Sequence, residues 1–177
     1  MFTIGGNRMV PAVSDLSPAV LREAFGNFPS GITAIAAIQD GQPRGLTASS
    51  FTSVSLSPPL VSVCIAKSST TWPPLRSAPR FGLSVLGEDH GRVASALAAR
   101  TANRFVAVDW ERTPLGAVFV HGSALWLECS RYAEVPAGDH EIVLLQIRQL
   151  WAYPQVSPLV FHGSRFRQLR AAGREPA

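Results

Sequence analysis

The sequence predicts a mainly β protein, an antiparallel barrel with a few short helices inserted between its strands. Three observations lead to this fold class. Seven or more short segments have the composition of strands, turn-forming residues separate most of them, and regularly alternating strand and helix units are absent. The last observation argues against a doubly wound sheet of parallel strands.

Length and composition indicate one domain with a large core. The chain has 177 residues, of which 46% are hydrophobic and 16% are charged, and it contains no internal repeat or long linker. The low charge also indicates that a partner chain covers some apolar surface. We expect a flexible leader over residues 1–16, one domain over residues 17–169 and a basic tail over residues 170–177.

The termini and the charge bear on location and partners. The first residues lack the basic start and apolar core of a secretion signal, and no apolar run is long enough to cross a membrane. We therefore expect a cytoplasmic protein without membrane association. The net charge of +4 suits a ligand that carries phosphate. We expect the C-terminal arginines to form a solvated tail rather than a nucleic-acid arm: Arg165, Arg167, Arg170 and Arg174.

The first elements follow from capping, composition and turn signals. Pro18 suits the first turn of a helix that we predict over Pro18–Asn27. Its inward face would consist of Val20, Leu21, Ala24 and Phe25. Ile32–Ile38 is apolar and too short for a typical helix, so we predict a buried strand. Asp40-Gly41 is a hairpin signal that would return the chain antiparallel to that strand.

The middle of the chain alternates strands with two short helices. We predict strands at Leu46–Leu56, Leu60–Ala66 and Phe81–Leu86. A short helix would begin at Thr70 or Thr71, with Trp72 and Leu75 packed inward. A second helix over His90–Arg100 has one apolar face, formed by Val93, Ala94, Leu97 and Ala98.

The C-terminal half predicts a long hairpin. After a strand that begins near Val118, Ala124–Arg131 has Leu125, Leu127 and Cys129 on one face and Trp126, Glu128 and Ser130 on the other. The turn Pro136-Ala137-Gly138-Asp139 joins this strand to His140–Trp151. A last strand is expected at Leu159–His162.

The stretch from Arg44 to Trp72 is rich in hydroxyl groups. They form two clusters on either side of the Leu60–Ala66 strand: Thr47, Ser49, Ser50, Thr52, Ser53, Ser55 and Ser57, then Ser68, Ser69, Thr70 and Thr71. Hydroxyls donate and accept hydrogen bonds, and small side chains let a backbone approach a ligand closely. The clusters therefore indicate either a site for a polar ligand with a phosphate or a solvated Ser/Thr-rich face.

Several chemistries lack their motifs. The sequence has no Rossmann fingerprint, phosphate-binding P-loop, nucleophile elbow or metal-ligand spacing. Cys64 and Cys129 lie in apolar strand patterns, so we expect two buried free thiols. His140 follows the turn that opens a long strand, where it is either a ligand-binding residue or a surface histidine paired with Asp139 or Glu141.

An ordered set of motifs over residues 17–169 resembles the short-chain flavin reductases, the NADH:flavin oxidoreductase components of two-component flavin-dependent monooxygenases. The motifs are Phe28-Pro29-Ser30-Gly31-Ile32-Thr33, Gly45-Leu46-Thr47-Ala48-Ser49-Ser50-Phe51, Ser53-Val54-Ser55-Leu56-Ser57-Pro58-Pro59-Leu60, Arg104-Phe105, Asp109-Trp110, Gly122-Ser123-Ala124, Glu128-Cys129, Gly138-Asp139-His140 and Pro158-Leu159-Val160-Phe161. Each motif is weak alone, and the ordered set is specific.

The resemblance implies an antiparallel Greek-key split barrel that forms a homodimer, with FMN or FAD bound near the subunit interface and NADH, or else NADPH, as the reductant. It implies flavin contacts from Gly45, Leu46, Thr47, Ser49 and Ser50, and ring contacts from Cys64, Ile65 and Ala66. It places Thr70, Thr71, Arg104 and Phe105 around the flavin phosphate, and His140 on the nicotinamide side as the catalytic residue. A flavin-dependent oxygenase would receive the reduced flavin.

Two positions depart from the family pattern. Arg104 stands where lysine is common in the family. The arginine can still bind a phosphate, although its hydrogen-bond geometry differs from that of lysine. Gln146 replaces a frequent glycine in the strand after His140.

An alternative function is a flavin- or haem-binding barrel without NADH turnover. The sequence leaves open which oxygenase is served, whether the flavin is FMN or FAD and whether the reductant is NADH or NADPH. It also leaves open whether the flavin is a resident group or a substrate.

Overall fold

The computed structural model describes residues 12–99, 101 and 104–169. It contains helices α1 (Pro18–Phe25), α2 (Trp72–Leu75) and α3 (Gly91–Ala98). The strands are β1 (Ser30–Gly31), β2 (Thr33–Gln39), β3 (Gln42–Ala48), β4 (Thr52–Leu56), β5 (Pro59–Ala66), β6 (Phe81–Val85), β7 (Trp110–Arg112), β8 (Val118–Val120), β9 (Leu125–Ala137), β10 (His140–Ala152), β11 (Val160–His162) and β12 (Arg165–Arg167).

A seven-stranded sheet in the order β3-β2-β6-β9-β10-β5-β4 organises the fold. Its strand pairs are all antiparallel, and two smaller sheets, β1-β11-β12 and β7-β8, lie beside it. The predicted class, mainly β and antiparallel with a few short helices, is confirmed. The predicted hairpins at Asp40-Gly41 and before His140 are also present.

The connection between β3 and β4 requires the sheet to curl. These strands are the two edges of the sheet, yet only Ser49–Phe51 separate them in sequence. In a flat sheet, six strand spacings would put the edges about 29 Å apart. The chain from Ala48 to Thr52 can span only about 14 Å. The sheet must therefore curl until its two edges meet at the crossing segment Ser49–Phe51.

The two larger of the three apolar cores lie on opposite faces of the curled sheet. The inner core is formed by β2, β5, β6, β9, β10 and α2, with Ile35, Val63, Phe81, Leu83, Leu127, Val143, Leu145, Trp72 and Leu75 among its buried side chains. The outer core is formed by the other face of β2 together with α3 and β8, and it includes Ala34, Ala36, Leu97, Val118 and Val120. Residues 34–38 of β2 are all apolar, as expected for a strand that is buried on both faces.

The predicted strand Leu46–Leu56 was wrong, because the structure divides it into β3 and β4. The break falls at Ser49–Phe51, where the Ser50 hydroxyl bonds to the backbone of Cys64. Serine hydroxyls compete in this way with the sheet ladder. The two halves then pair on opposite sides of the sheet, β3 with β2 and β4 with β5.

Three further expectations need correction or lie outside the described part. Helix α1 ends at Phe25 and has no fully buried residue; of the predicted inward face, Val20 and Leu21 are partly buried, whereas Ala24 and Phe25 are exposed. Cys64 is exposed, whereas Cys129 is buried as expected, and burial raises the pKa of the Cys129 thiol to about 12. Arg165 and Arg167 belong to β12 rather than to a tail. Arg100, Arg170, Arg174, residues 1–11 of the leader and residues 170–177 lie outside the described residues.

His90 joins two loops at the start of α3. Its Nδ1 atom accepts a hydrogen bond of 3.1 Å from the Gly87 backbone N–H. Its Nε2 atom lies against Gly122, where a Cβ atom would be only 3.1 Å away. Burial lowers the pKa of His90 below 6.5, against a smaller raising effect from Asp89. An Nδ1 atom that accepts a hydrogen bond likewise requires the neutral ring.

We predict that stability falls in mild acid because of His90. Its folded pKa is below that of the unfolded chain, so the unfolded chain binds the proton first and stability decreases as the pH falls below about 6.5. Because the ring is only partly buried, the slope stays below the one-proton limit of about 1.4 kcal/mol per pH unit. Urea unfolding from pH 7.5 to pH 5 should show a flatter profile for His90→Gln than for the wild type. His162→Gln controls for the loss of a histidine, and equal profiles for wild type and His90→Gln would contradict the assignment.

Candidate functional site

Two adjoining cavities lie where the sheet edges meet. The wide cavity has a volume of about 640 Å³ and the narrow cavity about 350 Å³, and both are within the usual range for small-molecule sites. Leu46, Ala66 and Ser69 line both. Because the two cavities share these walls, one extended ligand could occupy both.

The crossing segment after β3 forms one wall of the narrow cavity. Ser50 Oγ accepts a hydrogen bond of 2.8 Å from the Cys64 N–H and donates one of 3.3 Å to the Cys64 carbonyl. This pair of bonds attaches the crossing segment to β5 at the edge of the cavity. Thr33 Oγ1 donates to the Ala48 carbonyl from the other side, at 3.0 Å. The segment therefore has a defined position between the two sheet edges.

The tip of the β9–β10 hairpin brings His140 to the same place. The backbone N–H of Lys67 donates to the Asp139 carbonyl at 2.9 Å, and Lys67 Nζ donates to the Gly138 carbonyl at 2.6 Å. His140 is also paired with Ala66 in the β10–β5 register. These contacts join the hairpin tip to the end of β5, so His140 lines the narrow cavity.

The His140 ring is oriented by its neighbour in sequence. Its Nδ1 atom lies 2.8 Å from Asp139 Oδ1. The hydrogen bond from His140, followed by its charge, lowers the pKa of the Asp139 carboxyl. Because Asp139 occupies Nδ1, a ligand that contacts this ring through a nitrogen would use Nε2. The sequence predicted either a ligand-binding residue or a surface histidine paired with an acidic neighbour. In the structure His140 is paired with Asp139 and also lines a cavity.

The wide cavity has the lining expected for an anion. Its polar side chains are hydroxyls and guanidinium groups, from Ser68, Ser69, Thr70, Thr71, Thr101, Arg44 and Arg104, and no acidic residue is among the described residues that line it. Arg104 Nη1 donates to the Gly45 carbonyl at 3.1 Å. An arginine has five N–H donors, so this bond leaves others for a ligand.

Gly45 has a packing reason to be glycine. A Cβ atom at this position would lie 2.6 Å from the Ile35 carbonyl oxygen and 2.7 Å from the Ala36 Cβ. Both atoms belong to β2, the strand that pairs with β3. The glycine at position 45 is therefore explained by strand packing without any close approach of a ligand.

Comparison with known sequences gives the family. A profile of the flavin reductase like domain matches residues 25–170. This chain belongs to the flavin reductase-like family. The match covers the whole curled sheet and both cavities.

Curated relatives and a solved structure agree with this assignment. The chain is 43% identical over 128 residues to the stachydrine N-demethylase reductase subunit Stc3 of Rhizobium meliloti, covering 72% of this chain. It is 44% identical over 128 residues, again 72% of this chain, to a probable flavin reductase of the same organism. The chain spans only 56% and 41% of the lengths of these two relatives.

The structural comparison covers nearly the whole of a shorter relative. That structure is the NADH:FAD oxidoreductase SgcE6 of Streptomyces globisporus, in complex with NAD and FAD fragments. The TM-score is 0.84 at 36% identity, covering 91% of this chain and 98% of the other. The similarity therefore extends over nearly the whole of that oxidoreductase chain.

Every residue predicted for the site lines one of the two cavities. Gly45, Thr70, Thr71, Arg104 and Phe105 line the wide cavity, Thr47, Ser49, Ser50, Cys64, Ile65 and His140 line the narrow one, and Leu46 and Ala66 line both. The site residues implied by the resemblance leave out seven other residues that line the cavities: Pro43, Arg44, Ala48, Ser68, Ser69, Ala98 and Thr101. Ser68 and Ser69 were within reach, since they belong to the second hydroxyl cluster. No sequence pattern indicates that Ala98 and Thr101 line a cavity, because only folding brings the end of α3 to this place.

The described part of the chain contains no cluster of three or more His, Cys, Asp or Glu side chains with the arrangement needed for a metal ion. None of the described helices has the length and hydropathy to cross a membrane.

Proposed function

We propose that this protein is an NAD(P)H-dependent flavin reductase that reduces FMN or FAD and supplies the reduced flavin to a partner monooxygenase. The observation that supports it best is the pair of joined cavities, one lined by hydroxyls and arginines and the other bordered by His140. Family membership and the NAD and FAD fragments bound to SgcE6 agree with this interpretation.

The wide cavity is suited to the phosphate end of a flavin. Thr70 and Thr71 would donate hydrogen bonds from one wall. Arg104 would supply positive charge from the other wall, oriented by its bond to the Gly45 carbonyl. Arginine binds phosphate through planar, charge-assisted hydrogen bonds, which compensates for the lysine that is common at this position in the family.

The narrow cavity is suited to the isoalloxazine ring. The bound flavin and nicotinamide supply the chemistry themselves, a hydride transfer from nicotinamide C4 to flavin N5. The protein contributes position, since Ser50 attaches the crossing segment to β5 and keeps the walls in place. Cys64, Ile65 and Ala66 would lie along the ring. Holding two reactants in contact supplies a large part of the acceleration.

His140 is proposed to hold the nicotinamide half of NADH against the flavin. It lies at the edge of the narrow cavity, and its Nδ1 atom is occupied by Asp139. The ring is about half exposed, with 42% of its side chain accessible, so a second ligand can reach it. Its role would be to bind and orient, since the reaction needs no protein nucleophile.

The proposal includes a split-barrel homodimer in the cytoplasm that serves an oxygenase. The curled sheet supports a barrel. The oxygenase partner is supported by the name of another relative, the flavin-dependent monooxygenase reductase subunit HsaB of Rhodococcus jostii, which is 30% identical over 166 residues. Large apolar side chains remain exposed on the edge strand β4, on α1 and just after α1, namely Val54, Leu56, Phe25 and Phe28. Leu56 is 96% exposed, which favours a second copy that covers this edge.

Nicotinamide oxidation is the direct test of the function. The purified protein should oxidise NADH, followed by absorbance, when FMN or FAD is added. Activity only with added flavin would identify flavin as a substrate, and activity without addition would identify a resident flavin. If neither NADH nor NADPH is oxidised with FMN, with FAD or without added flavin, the proposal would be overturned in favour of flavin or haem binding without turnover.

The role of His140 gives a second prediction. His140→Ala should raise the KM for NADH about tenfold, the effect of one lost hydrogen bond in a site, and change the Kd for flavin much less. Steady-state kinetics and flavin titration measure the two quantities. His162→Ala is the matched control, because His162 lies on β11 and lines neither cavity. Equal losses in NADH and flavin binding would show that His140 does not face the nicotinamide.

The threonines give a third prediction. The double variant Thr70→Ala with Thr71→Ala should weaken FMN about tenfold and leave riboflavin, which lacks the phosphate, nearly unchanged. Fluorescence titration with both flavins measures the ratio. Ser77→Ala, as a control, removes a nearby hydroxyl that bonds to the Pro74 carbonyl instead of lining the cavity. The same loss for both flavins would mean that these threonines do not recognise the phosphate.

A further inference from the structure

Lys67 holds the turn that precedes His140. It is the only lysine among the 16 lysine and arginine residues of the chain, and it directly follows β5. Its Nζ atom donates a hydrogen bond of 2.6 Å to the Gly138 carbonyl, and its backbone N–H donates one of 2.9 Å to the Asp139 carbonyl. Both residues of the two-residue turn between β9 and β10 are therefore bonded to the same lysine.

The backbone of this turn gives the Nζ bond a specific effect. Gly138 has a φ of +61°, whereas Asp139 is not among the residues with a positive φ. This combination is typical of a type II′ turn, since a type I′ turn needs a positive φ at both central residues. The two turn types differ in the orientation of the peptide between the central residues. The Gly138 carbonyl belongs to that peptide, so the bond from Lys67 selects one orientation.

The orientation of that peptide decides where the Asp139 carboxylate lies. The nitrogen of the peptide belongs to Asp139, so a flip would also rotate the residue that carries the carboxylate. Asp139 Oδ1 lies 2.8 Å from His140 Nδ1, although 95% of the Asp139 side chain is exposed. No packing restrains so exposed a side chain, and ordering it costs conformational entropy. The contact with His140 therefore depends on the backbone that Lys67 holds.

Other contacts hold the flavin side of the site without the Lys67 side chain. Ser50 joins the crossing segment to Cys64 through two hydrogen bonds, and Arg104 bonds to the Gly45 carbonyl. Lys67 is not among the residues that line the two cavities. Loss of its ammonium group is therefore expected to disturb the nicotinamide side and to leave the flavin side intact.

We propose that Lys67 is a positioning residue for the nicotinamide, because its bond to Gly138 sets the turn that places Asp139 beside His140. This inference rests on the proposed function, since it takes His140 to contact the nicotinamide. Lys67 acts through His140 and touches neither cofactor itself. The hairpin stays paired with β5 when the ammonium group is removed, because the backbone N–H of residue 67 and the β5–β10 ladder remain.

Steady-state kinetics and flavin titration test this role. Lys67→Met removes the ammonium group, and it should raise the KM for NADH about threefold to fivefold with kcat and the flavin Kd within about twofold of wild type. Lys67→Arg keeps a charged N–H donor and should restore the KM to within about twofold of wild type. Arg148→Met is the matched control, because it removes a charge and an exposed hydrogen bond to Ser130 from β10 and lines neither cavity.

A double-mutant cycle with His140→Ala separates positioning from other roles of the lysine. Because Lys67 acts through His140, Lys67→Met should change the KM for NADH by less than about 1.5-fold in the His140→Ala background. Direct attraction between the Lys67 charge and the NADH phosphates, or a general loss of structure, would give the same factor in both backgrounds. Equal factors would overturn the inference, and so would a wild-type KM in Lys67→Met.

A measurement without turnover distinguishes failure of this inference from failure of the proposed function. The ¹⁵N resonances of the His140 ring report the hydrogen bond at Nδ1, and their loss in His140→Ala identifies them among the four histidines. They should shift in Lys67→Met, as in Asp139→Asn, and stay in place in Arg148→Met. Unchanged resonances in Lys67→Met reject the positioning role alone. If they shift but the wild-type protein oxidises neither NADH nor NADPH, the proposed function fails while the orientation of His140 by Lys67 stands.

Discussion

The three-residue crossing Ser49–Phe51 is the constraint on which the rest of the structure depends. It joins the two edge strands of a seven-stranded sheet, so the sheet has to curl until those edges meet. The curl encloses the inner core on its concave face and leaves β2 buried on both faces. It also places a short polar segment at the only part of the described sheet where its two edges are joined in sequence.

The candidate site is a consequence of that closure. The crossing segment supplies Ser49 and Ser50, and the neighbouring strand end supplies Cys64 and Ala66. The hairpin tip with His140 reaches the same point because Lys67 binds the Gly138 and Asp139 carbonyls. A closed edge thus becomes a cavity lined by both hydrogen-bonding and apolar groups, which is the general form of a small-molecule site.

Much of this arrangement can be predicted from residue patterns. The hydroxyl clusters, the strand between them and the Gly138-Asp139-His140 turn are evident in the sequence alone, and they contribute residues to both cavities. The errors arise where a local pattern does not show a contact with a distant strand or the exposure of a side chain in the fold. The strand Leu46–Leu56 is predicted to be continuous because Ser and Thr fit a strand, while the bond from Ser50 to Cys64 depends on a distant strand. Cys64 is predicted to be buried because its neighbours are apolar, yet its side chain faces the open side of β5.

The sequence by itself determined the classes of element, the turns and the residue types that could contact a flavin, because strand alternation, glycine turns and ordered motifs are local properties. Only the tertiary structure decided that Ala98, Thr101 and Ser69 share a cavity, because the end of helix α3 and the loop after β5 come together through packing between distant parts of the chain. The same holds for the bond between Lys67 and Gly138, which lie 71 residues apart in the chain. Contacts between such remote segments depend on how the sheet closes, and no local pattern records that closure.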